Sequence, residues 1–393
     1  MLSPKLEFTL RVCLFILGAT ILFSCSLGPE NIRQSPTSPP NQASQITGMI
    51  TSTPDHAISA TFTPAASPTQ LPPPLPTLSP APQYRIPGRF VLVADSEIFM
   101  VTVTCIRRWE ACSSSRIQLT NTPRPEQEFA AEIFNDHITT SQDGKRIAFA
   151  YRESLENKGA FRGGWDIYIL DIEACQGVTN GCDSQMFTRL TGEPFDEISP
   201  AWAPDGSLIA FTSNLGPYEP DLNPYELFVM DTDGSSQKRI IGGEDLPGIT
   251  SSIFDPAWSP DSQKITFTAM TGQYRHPDTF IYTARRDGSD VKQLTFLPHE
   301  ENMNKTDSHP QWSLDGTQII FDSNREPPGL YLMNSDGSEI TNIGNGNFPR
   351  WSPDGTMVAF LSSSGLVLLE RDNGHIVLYL NWKTPIHSFV WSK

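Results

Sequence analysis

With 393 residues, of which 38% are hydrophobic, the chain is long enough for a large globular core, and two domains are the default expectation. The net charge is -16 and residues 1–87 are close to neutral, so the acidity lies in residues 88–393. That balance excludes nucleic acid and anionic membrane surfaces as partner classes and leaves cations or basic protein surfaces, with solubility as the plainer explanation.

In chain order, Met1–Phe23 carries Lys5 and Arg11 ahead of an apolar run from Val12 to Phe23. The run is short for a membrane span and suits a secretory signal. It ends in Leu22-Phe23-Ser24-Cys25, which resembles a bacterial lipobox with Cys25 as the lipidated residue. The expected boundaries are a lipoprotein-type signal peptide over 1–24 and a tether over 25–87. An uncleaved anchor with an incidental Cys is the alternative, and both export the rest of the chain to the extracytoplasmic side of a bacterial envelope. Pro29–Pro87 holds 14 Pro and 15 Ser or Thr, with Phe62 and Tyr84 its only aromatics. Such a composition buries too little apolar surface to offset ordering entropy, and predicts a disordered, partly polyproline-like linker. Extended at ~3.1 Å per residue it reaches on the order of 180 Å, enough to hold a domain off a membrane, though a linker without a spacing role fits equally.

Beyond the tether, two cysteine pairs share one spacing, Cys105/Cys112 and Cys175/Cys182. Each falls between two strand patterns, where a hairpin reversal would sit, and an oxidising compartment would let it bridge. Metal binding by these cysteines is the weaker reading, because no His lies near and no Cys-x-x-Cys occurs.

From Ile138 onward one unit keeps returning. ITTSQDGKRIAF begins at Ile138, SPAWAPDGSLIAF at Ser199, DPAWSPDSQKITF at Asp255, HPQWSLDGTQIIF at His309 and PRWSPDGTMVAF at Pro349. The truncated HSFVWSK closes the chain from His387. A strand ending in Trp enters an Asp-Gly turn, a β-rich second strand follows, and a third leads to a second reversal such as RDGS at Arg286. A fourth strand then closes most units. Repetition of four antiparallel strands predicts an all-β, six-bladed β-propeller over 88–393. The sixth blade combines three strands between Arg89 and Thr120 with the C-terminal strand, which removes the edges of an open ring.

The P-x-W-S-P-D-G pattern, the apolar third strand and the Asp-Gly-Ser turn resemble the WD-like repeat of the TolB family of six-bladed propellers. The resemblance covers roughly Pro87–Lys393 and implies the fold. Members carry an α/β domain before the propeller and work with a peptidoglycan-associated lipoprotein. Here the Pro/Thr tether fills that position and the chain itself carries the lipobox, so the Tol translocation role is not carried over.

Long insertions at Arg152–Gly164, Ser213–Pro224, Gly242–Phe254, Met270–Asp278 and Phe296–Ser308 fall on one face, opposite the tight Asp-Gly turns and the Cys loops. Loops of that length predict a docking face for a protein, peptide or glycan of the envelope. Candidate binding residues there are Phe161, Trp165, Tyr218, Tyr225, Tyr274 and Arg275. Three residues before each Trp position stand His137, Ser199, Asp255, His309, Phe348 and Ser388, expected to ring one mouth of the central channel. His137, Asp255 and His309 are acceptable metal ligands in type, but a solvated polar rim is the expectation, and no metal or cofactor is assigned. The repeated turn Asp residues and the Trp residues read as structural. The expected function is a monomeric, lipid-anchored, non-catalytic binding module, with no nucleic acid and no membrane contact beyond the anchor. The alternative is a glycan-acting propeller enzyme, a lyase or hydrolase with carboxylates on the long-loop face. No Gly-x-Ser-x-Gly elbow or His-Glu-x-x-His occurs to support a peptidase.

Overall fold

The computed structural model describes residues 83–393 apart from 107–111, 123–131, 153–163, 193–194, 215–223, 247–249, 272–277, 297–303, 364, 372–375 and 383. The expected signal, Cys25 and the tether up to residue 82 lie outside the described residues. Those described fall within one compact unit, Leu75–Lys393.

Six antiparallel sheets form the ring. Blade 1 joins Ile386–Ser392, innermost, to Arg89–Ala94, Glu97–Ile106 and Cys112–Gln118. Blade 2 is Glu132–Thr140, Arg146–Arg152, Asp166–Asp171 and Thr188–Arg189, and blade 3 is Glu197–Trp202, Leu208–Ser213, Glu226–Asp231 and Lys238–Ile241. Blades 4 to 6 begin at Thr250–Trp258, Asp307–Trp312 and Asn347–Trp351 and repeat the same four-strand order. The second and third strands read as continuous apolar runs, such as Arg146–Arg152 with its five central residues buried. They do not alternate because neighbouring blades cover both of their faces. Outermost strands face water, and Cys112–Gln118 is exposed over most of its length.

The ring closes as the repeat pattern predicts. Arg89–Ala94 pairs with Ile386–Ser392, with Phe90 opposite Trp391 and Val93 opposite Ser388. The Trp391 ring lies 4.7 Å from that of Phe90, and its indole N–H donates to the Pro87 carbonyl at 2.6 Å. One boundary differs from expectation. Gln83–Arg85, assigned from sequence to the tether, pairs with Thr104–Ile106, and Ile86 beside it is fully buried. The strand Glu97–Ile106 is long enough to offer an unpaired edge there, which those three residues cover.

Both expected disulfides are present, Cys105–Cys112 and Cys175–Cys182. The first bridges directly opposed residues of a hairpin. The second lies in the longer reversal between the antiparallel strands Asp166–Asp171 and Thr188–Arg189, as expected. Asp171 caps a five-residue helix, Ile172–Gln176, that carries Cys175, and Cys182 bridges in parallel to Thr120 of blade 1. This loop therefore fastens blade 2 to its neighbour.

The Asp-Gly turns explain their own sequence. Ser313 Oγ donates to Asp315 Oδ1 at 2.6 Å and accepts from the Gln318 amide at 2.9 Å, while Asp315 Oδ1 also accepts from the Thr317 amide at 3.0 Å. Ser259–Asp261 and Ser352–Asp354 repeat the arrangement. The turn carboxylates are thus spent on the backbone.

Candidate functional site: the central channel

The innermost strands of blades 3 to 6 carry one extra residue each where they line the axis. In blades 3 to 6 the register against the second strand slips by one residue at Ser199-Pro200, Asp255-Pro256, His309-Pro310 and Phe348-Pro349. Ser199, Asp255, His309 and Phe348 all take left-handed backbone, with φ between 53° and 55°. Proline after each costs no ladder hydrogen bond at a bulge. Four strained non-glycine residues at equivalent positions re-aim four side chains, and strain of this kind concentrates where function requires it.

The result is a cluster across the channel, not the solvated rim expected from sequence. His137 and Asp255 are buried, and His309 is half-buried. His137 Nε2 stands 3.2 Å from Asp255 Oδ1, and His309 Nε2 stands 3.9 Å from Asp255 Oδ2. The two imidazoles, on blades 2 and 5, stack with centroids 5.7 Å apart. Asp322 Oδ1 lies 2.8 Å from His309 Nδ1, and Ser199 Oγ lies 3.4 Å from His137 Nδ1. Thr268 Oγ1 and the His309 amide both donate to Asp255 Oδ2. The Arg350 guanidinium, also buried, completes the set.

Electrostatics follow from this crowding. Burial lowers the pKa of His137 and outweighs the Asp255 charge, so that imidazole is neutral. Burial also works against protonation of His309, yet the charges of Asp322 and Asp255 and the hydrogen bond that His309 donates to Asp322 prevail and raise it. Burial disfavours the Asp255 carboxylate, but the charge of His309 and the hydrogen bonds from Thr268 and the His309 amide overcome it and hold Asp255 below the usual carboxylate range. Burial brings Arg350 down to about 10, which leaves it cationic at neutral pH.

At the tight-turn end the channel opens into a cavity of 390 Å³ lined by Trp202, Trp258, Trp312, Trp391, Pro260 and Leu314 among others. The Trp rings wedge between blades: the Trp258 indole donates to the Ala201 carbonyl at 3.0 Å, and the Arg146 guanidinium covers the Trp202 ring at 4.9 Å. Leu314 occupies a turn position held by Pro204, Pro260 and Pro353 in other blades, and is 55% exposed. On the long-loop face, Phe161, Tyr218, Tyr274 and Arg275 lie outside the described residues. Trp165 and Tyr225 do come together, around Asp196, which accepts from the Trp165 amide at 3.0 Å and from the Tyr225 hydroxyl at 3.4 Å. Both rings pack partly buried against the core between blades 2 and 3.

No family model matches the chain. Among solved structures, TolB from Acinetobacter baumannii superposes with a TM-score of 0.51 at 18% identity, covering 78% of this chain and 66% of that one. The fold is that of the TolB propellers. A structure assigned to TolB of Agrobacterium tumefaciens gives a TM-score of 0.45 at 17% identity, covering 78% of this chain and 90% of the other. A curated relative, "Uncharacterized peptidase YuxL" of Bacillus subtilis, is 24% identical over 224 residues, 49% of this chain. This chain spans 31% of that relative's length.

The TolB likeness concerns the ring, so the channel chemistry must be read from this chain's own residues. Sequence reasoning placed His137, Asp255 and His309 at equivalent positions and missed Asp322 and Arg350. Internal comparison of the repeats carried the signal for both. Asp322 follows the second-strand Phe where other blades have Ala150, Thr212, Thr268 and Leu361. Arg350 precedes Trp where others have Ala201, Ala257 and Gln311. A charge in a column of small or neutral residues marks a position where burial needs a partner.

Proposed function

We propose that the chain is an exported, lipid-anchored and non-catalytic binding module that receives a segment of a protein partner in the funnel at the tight-turn end of its channel. The observation that carries this reading is the funnel itself, a concave cavity walled by four Trp residues, rimmed by prolines and the exposed Leu314, and edged by polar groups such as Gln142, Ser313 and Lys393. Concave aromatic surfaces of this kind are the usual form of a recognition site. The reading moves the working face from the long-loop side, expected from loop length, to the side of the short turns. The two disulfides support an oxidising, extracytoplasmic setting. The acidic composition favours a segment with basic residues around an apolar anchor. A catalytic role is the second reading, and the relative named as a peptidase is what favours it.

Cross-linked capture from envelope fractions tests the proposal, comparing the wild-type chain with Leu314→Asp in the funnel and Phe296→Asp on the long-loop side, where Phe296 is 69% exposed. The expected result is one captured protein, at least ~10-fold depleted with Leu314→Asp and retained with Phe296→Asp. Retention with Leu314→Asp and loss with Phe296→Asp would move the site to the other face. In the same preparation, Cys25→Ser should release the chain from membranes if the anchor is a lipid.

A further inference from the structure

We propose that His137, Asp255 and His309 form a binding site for one first-row divalent transition-metal ion of the zinc type, which ties blades 2, 4 and 5 together across the channel. Three independent features support it. The donor atoms, one from each residue, all lie within 4.8 Å of one another. His137 Nε2 lies 3.2 Å from Asp255 Oδ1 and His309 Nε2 lies 3.9 Å from Asp255 Oδ2. Ligands each ~2.1 Å from one ion stand on the order of 3.0–3.6 Å apart, so an ion would draw this set together by up to about 1 Å.

The second feature is orientation. Both imidazoles turn Nε2 toward Asp255 and engage a polar group with Nδ1, Asp322 for His309 and Ser199 for His137. A carboxylate behind the remote nitrogen of a histidine is the usual outer support of a metal ligand, fixing its tautomer and ring plane. Thr268 and the His309 amide fix the Asp255 carboxylate in the same way.

The third feature is placement and donor type. The ligands come from three different blades and meet in a buried cage that also holds the Asp322 carboxylate behind His309. Two imidazoles with one carboxylate select zinc, iron, cobalt or nickel over the all-oxygen preference of calcium and magnesium. The left-handed backbone that Asp255 and His309 share with Ser199 and Phe348 sets the level of the channel at which the two ligands meet.

The test uses the full chain, stripped with a chelator and titrated with Zn(II) alone and with Co(II) alone. Saturable uptake of one ion per chain is expected, with a visible Co(II) spectrum of low-symmetry nitrogen and oxygen ligation and a rise of several degrees in the melting midpoint. His137→Gln and His309→Gln should each weaken affinity at least ~10-fold, while His387→Gln, on the innermost strand of blade 1, should leave it unchanged. X-ray absorption of the Zn(II)-loaded wild-type chain should show two imidazoles, a readout that stands even if a ligand variant fails to fold. Absence of saturable uptake, survival of it in the double variant His137→Gln/His309→Gln, or a zinc environment without two imidazoles would each overturn the proposal. None of these outcomes bears on the funnel, whose test is partner capture.

Discussion

Glu197 opens the innermost strand of blade 3 and is 3% exposed. Ser213 Oγ donates to its Oε1 at 3.1 Å, whereas Oε2 is buried and has no hydrogen-bond partner among the described residues. Burial, reinforced by the nearby Asp166 carboxylate, pushes its pKa from 4.5 up to about 8. A carboxyl raised in the folded state binds a proton that the unfolded chain has already lost, so its contribution is complete below pH 4.5 and is lost as pH rises toward 8. Glu197→Gln, which keeps the shape and removes the ionisation, should match wild type in urea unfolding near pH 4.5. It should become progressively more stable than wild type up to pH 8, where the difference levels off. Parallel stability curves for the two proteins would show that Glu197 is not buried as a neutral acid. Nothing in the string FDEISP marks Glu197 as a buried acid, because its burial and the Asp166 carboxylate beside it come from the neighbouring blade.

At the scale of the element, the Asp-Gly-Ser reversal was legible as a turn, but its second task was not. Gly288, at the reversal of blade 4, has φ +89°, and a Cβ there would overlap the Ile240 carbonyl at the end of blade 3. Gly181, in the Cys175–Cys182 loop, holds the same relation to Leu119 of blade 1. The disulfide loop thus replaces the turn sequence and keeps the glycine that docks one blade on the last. Gly206 supplies the comparison, since it has φ +75° but nothing except a flexible Gln142 side chain near its missing Cβ. Gly206→Ala should cost about 1 kcal/mol, the share due to left-handed backbone. Gly288→Ala should cost clearly more, by roughly another 1–3 kcal/mol of overpacking, measured by chemical unfolding. Equal losses would mean that the turns do not transmit contact between blades. Local chemistry reads out of a sequence because it depends on neighbours in the chain. Docking between blades depends on residues about fifty positions away, which is why the repeat count was legible and the contact was not. His137, Asp255 and His309 fall between these cases: the repeat fixed their level on the axis, and the narrowness of the channel brought them into contact.

For the molecule as a whole, closure is the step on which every blade depends, since each sheet buries both faces against neighbours. Ile386–Ser392 supplies the innermost strand of blade 1, placing Phe389 and Trp391 in the core with 1% and 6% exposure. Each contributes about 2 kcal/mol or more of apolar burial. Its removal would bare the full hydrogen-bonding edge of Arg89–Ala94 and one flank of blade 6, the flat unpaired edge that leads to aggregation. A chain ending at Pro385 should therefore lose its sharp cooperative unfolding transition and associate in solution, as read by calorimetry and light scattering. A synthetic peptide of Ile386–Lys393 added in trans should restore part of the transition, and the same peptide with Trp391→Ala should restore less. The peptide arm separates two explanations that truncation alone confuses. If the loss came from shortening the chain, an unlinked strand would not repair it; if it came from the missing pairing with Phe90 and Val91, it would. A truncated chain that melts at the wild-type midpoint as a monomer would show that the ring holds without this strand, and that blades 1 and 6 are held by packing alone.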